Sequence, residues 1–478
     1  MTVRTQNYSE KELTHIHDAS VDLLKNIGVA FNDDEALGIF KNHGFKVDGN
    51  TVFFSEKKVR QAIESAPARF RVAARNPANT VSIGGEDVAL APGYGAAFII
   101  TRDGEQRKTT MADYDIFCKL VQTSRTIDMT GFLMAAPSDL PAETAHLNML
   151  YSNITLCDKP FMGSPVSKAA AEDCIEMASM VWGSKEKLKE TPVTVSLITP
   201  LSPLQYTAEM TGSVITLARY NQACIFGALL MAGSSGPLSL AGVLVQQNAE
   251  ILAGVTLTQL LRPGAPVIVG GLSAILDMRT GALSMGAPEV ARISSATIQL
   301  AKFYNLPARS GGAVTDAHFP DAQAGFESAL NLRVALQNGS NFILHAGGIL
   351  GAFNAMSFEK FIIDEEVCSQ ILESLKPVTI TDESIDLDLI KEVGIGGNYL
   401  THPKTYEDCR KAFYLSNLVN RNGFSGWQEG GAKDINDRAT EILNERISQY
   451  VKPDIDPQLE KDLLSYVQNR KKRLDRQA

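Results

Sequence analysis

The sequence predicts an α/β fold, a (β/α)8 TIM barrel with an N-terminal helical cap and a C-terminal extension, and three observations predict it. Eight short β-rich runs alternate with long helical patterns between Val88 and Leu375. Most of the runs are apolar throughout, as a parallel strand covered on both faces requires. Eight units favour closure into a barrel over an open doubly wound sheet. The length of 478 residues accommodates a barrel with additions at both ends.

The cap comprises residues 1–85. From Tyr8 to Val29 the apolar positions Leu13, Ile16, Val21, Leu24 and Ile27 recur at helical spacing, with Ser9 as N-cap and Gly28 as stop. A second helix follows over Asp34 to Asn42, then a hairpin-like Val47 to Phe54, then a helix from Ser55 to Ala66 that ends before Pro67. The barrel comprises residues 86–376. Its strand runs are Val88–Pro92, Gly131–Ala135, Pro160–Pro165, Val193–Thr199, Cys224–Met231, Pro266–Gly271, Pro307–Gly312 and Phe342–Gly348. The helices between and after them are Thr110–Thr123, Pro141–Cys157, Ser167–Trp182, Pro203–Asn221, Ser239–Leu261, Pro288–Asn305, Asp321–Asn338 and Ser357–Leu375.

Residues 377–478 form the extension. It holds an acidic stretch up to Asp388, a Gly-rich run at Gly394–Gly397, a loop around Asn422–Trp427 and a terminal helix from Asp456 to Arg476. Its expected roles are packing on the barrel mouth and forming an oligomer interface. The cluster Arg470, Lys471, Lys472 and Arg473 reads as complementation of a helix C-terminus.

Charge and composition exclude several classes. With 45 Lys+Arg against 54 Asp+Glu, the net charge of −9 excludes a nucleic-acid binder held by counterion release. No run approaches the ~20 apolar residues of a membrane span, and Met1 to Asn7 lacks the basic and apolar regions of a signal peptide, so the protein reads as cytoplasmic. Six scattered cysteines without CxxC spacing read as reduced packing thiols.

In such a barrel the chemistry sits at the C-terminal ends of the strands. Those ends are rich in Gly, Pro, Ser and Thr, which leaves an open mouth with few acids or bases. No phosphate loop, HExxH or GxSxG string is present. Asp316, His318 and Asp321 fit either a loop-fixing hydrogen-bond network or an acid–base or metal cluster; the latter would make the protein a metal-dependent lyase or hydrolase. His345, at the end of an apolar strand, is either a satisfied core residue or a substrate contact. Tyr94, Phe353 and Trp427 either pack in the core or supply ring faces around a quaternary ammonium. No metal ligands belong to that second reading.

Several motifs carry a resemblance: Ala74-Arg75-Asn76-Pro77, Gly84-Gly85, Asp321 to Glu327, His345-Ala346-Gly347-Gly348, Lys391 to Leu400, and Trp427-Gln428-Glu429-Gly430. In this order, over nearly the whole chain, they resemble the trimethylamine methyltransferase superfamily. The chain holds only standard residues, so it looks like the branch without pyrrolysine. The resemblance implies a (β/α)8 barrel that moves a methyl group from glycine betaine, proline betaine or a similar quaternary amine to the cobalt of a corrinoid. That corrinoid (a cobalamin) would ride on a partner protein, because the chain lacks the Asp-x-His-x-x-Gly string of such carriers: Asp316-Ala317-His318 continues Phe319-Pro320-Asp321. A homo-oligomer is expected. A non-catalytic betaine-binding protein is the other alternative.

The chemistry agrees with the missing pyrrolysine. A quaternary amine is already activated, and attack by cobalt(I) on its methyl group annihilates charge without any proton transfer. Dehydration and orientation would then accelerate the step more than a base. A betaine also carries a carboxylate, for which His345 and the backbone N–H groups of Gly347 and Gly348 are the candidate donors. Tyr94, Phe353 and Trp427 would enclose the ammonium.

Overall fold

In the computed structural model, residues 5–474 are described; the terminal helix runs from Pro457 to Leu474, and the last residues of its expected span lie outside the described residues. The fold is mixed α/β, as expected. Thr194–Ile198 pairs in parallel with Phe161–Met162 on one side and with Ala223–Phe226 on the other, and Ala223–Phe226 pairs in turn with Val267–Val269. A second parallel sheet places Phe342–Leu344 between Arg309–Gly311 and Ala89–Leu90. Single parallel bridges, Val269 to Ala308 and Thr130 to Phe161, extend these ladders. On the far side Asp128 N donates to Leu90 O over 2.9 Å, while the Asp128 carboxylate accepts from Leu90 N over 2.8 Å. The second expected strand, Gly131–Ala135, is reduced to the one bridge at Thr130.

The helices begin where capping side chains dictate. Ser167, Ser239, Asp321 and Ser357 each accept a hydrogen bond from the amide three residues on, satisfying a donor that the first turn leaves free. Leu240–Leu261 corrects one expectation: over 22 residues it is long and apolar enough to cross a membrane. It is nevertheless a core helix, with buried Gln246, Gln247, Asn248 and Glu250 all hydrogen-bonded.

The N-terminal segment shares that core. Helix Glu10–Asn26, closed by a capping box at Ser9 and Glu12, lies against Leu240–Leu261, where Ser20 Oγ donates to Val245 O and accepts from Asn248 Nδ2. Strand Val29–Phe31 pairs with Gln205–Tyr206, and Phe31 stacks on Tyr206 at 5.0 Å. This pairing takes the first residues of the helix expected over Pro203–Asn221, which starts at Ala208 after its Thr207 cap. Arg470 has more to do than complement a helix end. Its Nε, the Tyr466 hydroxyl and His146 Nε2 converge on the buried Asp173 carboxylate at 2.8, 2.6 and 3.0 Å, fastening the terminal helix to the body. Five of the six cysteines are buried and all six are free thiols.

Burial pushes the Asp128 carboxyl up to about 6. An acid raised in the folded state contributes stability below its unfolded range, and that contribution is lost as pH rises through the folded value. Asp128→Asn keeps an acceptor for Leu90 N–H without the charge. It is therefore expected to stabilise the protein by about 1–3 kcal/mol at pH 8 and to flatten the slope between pH 4 and 6, as read by urea unfolding.

Candidate active site

Polar groups meet beside the C-terminal ends of Ala223–Phe226 and Phe342–Leu344, reached by a side chain from the start of a neighbouring strand. Arg309 opens strand Arg309–Gly311 and is 3% exposed, with its guanidinium reaching towards Gly227, whose added Cβ would lie 3.8 Å from Nη1. Its Nε has no partner, and no carboxylate among the described residues forms an ion pair with it. Burial lowers its pKa to about 10, so it stays charged at neutral pH. An uncompensated buried cation is costly, and a bound anion is the direct remedy.

His345 follows strand Phe342–Leu344 and is buried, at a φ of +64°. Its amide donates to Pro92 O and its carbonyl accepts from Ala313 N at 2.6 Å, which ties it to the segments after two other strands. The imidazole meets the backbone of Tyr94 and packs on Phe353 with ring centroids 4.6 Å apart. Nδ1 is buried without a partner. Desolvation, then the Arg309 charge, holds the ring well below its ordinary pKa, so it is neutral and offers one donor and one acceptor. Substrate affinity is accordingly expected to stay flat between pH 6 and 8; a step near pH 6.5 in a titration series would show that His345 ionises in place.

Phe353 stands at φ +77°, in the left-handed region that a side chain rarely adopts, and presents its ring to His345. Tyr94, partly buried beyond strand Ala89–Leu90, packs against the same apolar cluster as Phe353, and desolvation raises its phenol so that it is neutral. The structure thus pairs the His345 and Phe353 rings, places the Tyr94 backbone at His345, and adds Arg309, which the sequence reading passed over.

The other expected residues go elsewhere. Gly347 O accepts from Gly93 N at 2.8 Å, whereas Gly348 N donates to Asp364 Oδ2 at 2.8 Å, so the Gly348 amide is already taken. Asp364 is paired with Lys360 at 2.5 Å, and Lys360 Nζ also donates to Ser328 Oγ, which donates to Ala313 O. This fully buried pair braces the two turns that carry His345. Trp427 contacts Phe424 and donates to Lys433 O within the C-terminal segment; it does not join the His345–Phe353 pair. Asp316 accepts from Met285 N and Asp321 caps the helix Ala322–Gln337, so these acids serve loops. Among the described residues no group of three or more His, Cys, Asp and Glu side chains is placed to hold a metal ion.

The model of the trimethylamine methyltransferase (MTTB) family matches residues 2–475. The chain belongs to the trimethylamine methyltransferase family. Within that family it is 43% identical over 464 residues to a glycine betaine methyltransferase of Desulfitobacterium hafniense, covering 97% of each chain. It is 33% identical over 474 residues to a proline betaine:corrinoid methyltransferase of Eubacterium limosum, covering 96% of each. The solved monomethylamine methyltransferase of Methanosarcina barkeri shares the fold at a TM-score of 0.53 and 10% identity, over 94% of this chain and 89% of that one.

Proposed function

We propose that this chain moves a methyl group from a carboxylate-bearing quaternary amine, of which glycine betaine is the first candidate, to cobalt(I) of a corrinoid carried by a separate protein. The observation that carries the substrate class is Arg309, a buried guanidinium that no carboxylate among the described residues pairs with. The names of the relatives point the same way: one acts on glycine betaine and another on proline betaine with a corrinoid. The parallel ladders, the bridges at Thr130 and Val269, and the Asp128–Leu90 hydrogen bond support a closed (β/α)8 barrel whose mouth holds this site. Free buried thiols suit a reducing cytoplasm.

In this reading Arg309 receives the substrate carboxylate in charge-assisted hydrogen bonds. Neutral His345 donates a further bond, and the Gly347 N–H remains a candidate helper. With the carboxylate held at the buried end, repulsion by Arg309 turns the ammonium outward. There Tyr94 and Phe353 offer ring faces, and one N–CH3 points to the mouth. The residues bind, orient and exclude water; the leaving tertiary amine departs neutral, so none of them needs to move a proton.

The test is to incubate the protein with glycine betaine and cob(I)alamin and follow methylcobalamin and dimethylglycine together. Equimolar appearance of both is the expected result. Tight betaine binding without either product would instead make the chain a sensor. Phe353→Ala and Tyr94→Ala are each expected to weaken betaine binding by about 1–2 kcal/mol, measured by calorimetry. His345→Ala should weaken betaine binding more than choline binding, whereas equal losses would make His345 a packing residue.

A further inference from the structure

Side chains alternate between the two faces of strand Thr194–Ile198. Val195 joins an apolar cluster with Ile225, Ile268 and Leu272, and Leu197 packs against the same cluster. Ile198 points the other way, into the cluster that holds Phe226 and Leu252. Leu197 is paired in parallel register with Ile225. Val195, Ile225 and Ile268 are fully buried, whereas Leu197 is only partly so and keeps apolar surface open on that face.

Gly227 brings this leucine to the guanidinium. It follows strand Ala223–Phe226, and its amide donates to Ile198 O over 3.0 Å. A Cβ on Gly227 would lie 2.8 Å from Leu197 Cδ1 and 3.8 Å from Arg309 Nη1. The leucine methyl group thus takes the place of the missing side chain, and nothing on Gly227 separates it from the cation. Gly311, two residues after Arg309 on the same face, is covered in the same manner, because its added Cβ would lie 2.5 Å from Leu272 Cδ1. Leu272 is 2% exposed, so of the two leucines Leu197 is the one with surface left to meet a ligand.

A consequence for substrate size rests on the reading of Arg309 as receptor of the substrate carboxylate. A carboxylate on the guanidinium sets the carbon that bears it against the Leu197 methyl group. In glycine betaine that carbon carries only hydrogens. In proline betaine it is branched, because the ring closes there. We infer that Leu197 is a specificity-determining residue that favours quaternary amines unbranched at the carbon next to the carboxylate, and that Gly227 supplies the space it occupies. An apolar wall discriminates by one or two carbon atoms about 10- to 200-fold, so the preference is graded.

The test measures kcat/KM for cob(I)alamin methylation by the full chain with glycine betaine and with proline betaine. Wild type is expected to favour glycine betaine about tenfold or more. Leu197→Ala should move the ratio of the two towards proline betaine by about tenfold or more, and Leu197→Val should move it the same way by a smaller factor. Ile198→Ala is the control: this buried neighbour faces away from the site, so its loss should lower stability in urea unfolding and leave the ratio unchanged. Gly227→Ala sets a methyl group against the leucine and should raise KM for glycine betaine, and Gly227→Ala/Leu197→Ala should recover part of that loss. An active wild type whose ratio moves less than threefold in both Leu197 variants would overturn the inference and leave the carboxylate reading standing. An equal shift in Ile198→Ala would do the same. A wild-type protein that methylates cob(I)alamin from neither amine would overturn the carboxylate reading, and the inference with it.

Discussion

Replacing Arg309 with methionine is expected to lower kcat/KM for glycine betaine a hundredfold or more while leaving the protein folded. The guanidinium is buried beside Gly227 and His345, and no carboxylate among the described residues pairs with it, so its removal relieves a desolvation cost. With betaine bound, the same truncation leaves a buried carboxylate without its cation, a loss of about 3–5 kcal/mol, or roughly two to three and a half orders of magnitude in affinity. The melting temperature should therefore hold or rise while activity collapses. A substrate without a carboxylate, such as choline, gains nothing from Arg309 and should be little affected. Steady-state kinetics on both amines, with thermal unfolding of the same preparations, checks this. A variant within threefold of wild type on glycine betaine would remove Arg309 from the site.

The second large effect lies behind the site. Lys360 and Asp364 are each 1% exposed and bonded at 2.5 Å; Asp364 also holds Gly348 N–H, and Lys360 holds Ser328. Burial pushes the Asp364 carboxyl up to about 6 against the pull of Lys360. Breaking such a pair from one side leaves a buried charge alone, so Lys360→Met is expected to cost about 3–5 kcal/mol in urea unfolding. Lys360→Met/Asp364→Leu should recover most of that, because two apolar side chains of similar volume replace both charges. The double variant still lacks the acceptor for Gly348 N–H, and with it the brace on the turn after His345. Its KM for betaine should stay raised after stability returns. If KM recovers together with stability, the pair only holds the fold.

Much of the fold was legible because burial on both faces makes the parallel strands apolar throughout. Thr194–Ile198 and Phe342–Leu344 fall within expected runs, and Ala223–Phe226 overlaps the run expected over Cys224–Met231. The helices were readable from their caps and stops. The short additional pairs were not: Gln106–Lys108, antiparallel to Phe98–Ile100, is polar and exposed, and Gln205–Tyr206 pairs in parallel with Val29–Phe31, which is far away in sequence. At the site, Tyr94, His345 and Phe353 stood out as ring side chains beside glycine-rich strand ends. Arg309 was passed over because attention fell on Ser310-Gly311-Gly312 at the end of its strand. The available signal was a lone arginine within an otherwise apolar and glycine-rich run. The Gly348 amide was misjudged because Asp364 lies in the following helix, and sequence spacing does not show that its carboxylate turns back to that loop.

The most direct test of the central claim, that a buried cation selects a quaternary amine bearing a carboxylate, is the rate of cob(I)alamin methylation by the wild-type protein across glycine betaine, proline betaine, carnitine, choline and trimethylamine. Methylation by the carboxylate-bearing quaternary amines, with choline and trimethylamine slower by a factor of a hundred or more, is the predicted result. Choline or trimethylamine reacting as fast as the best betaine would contradict it.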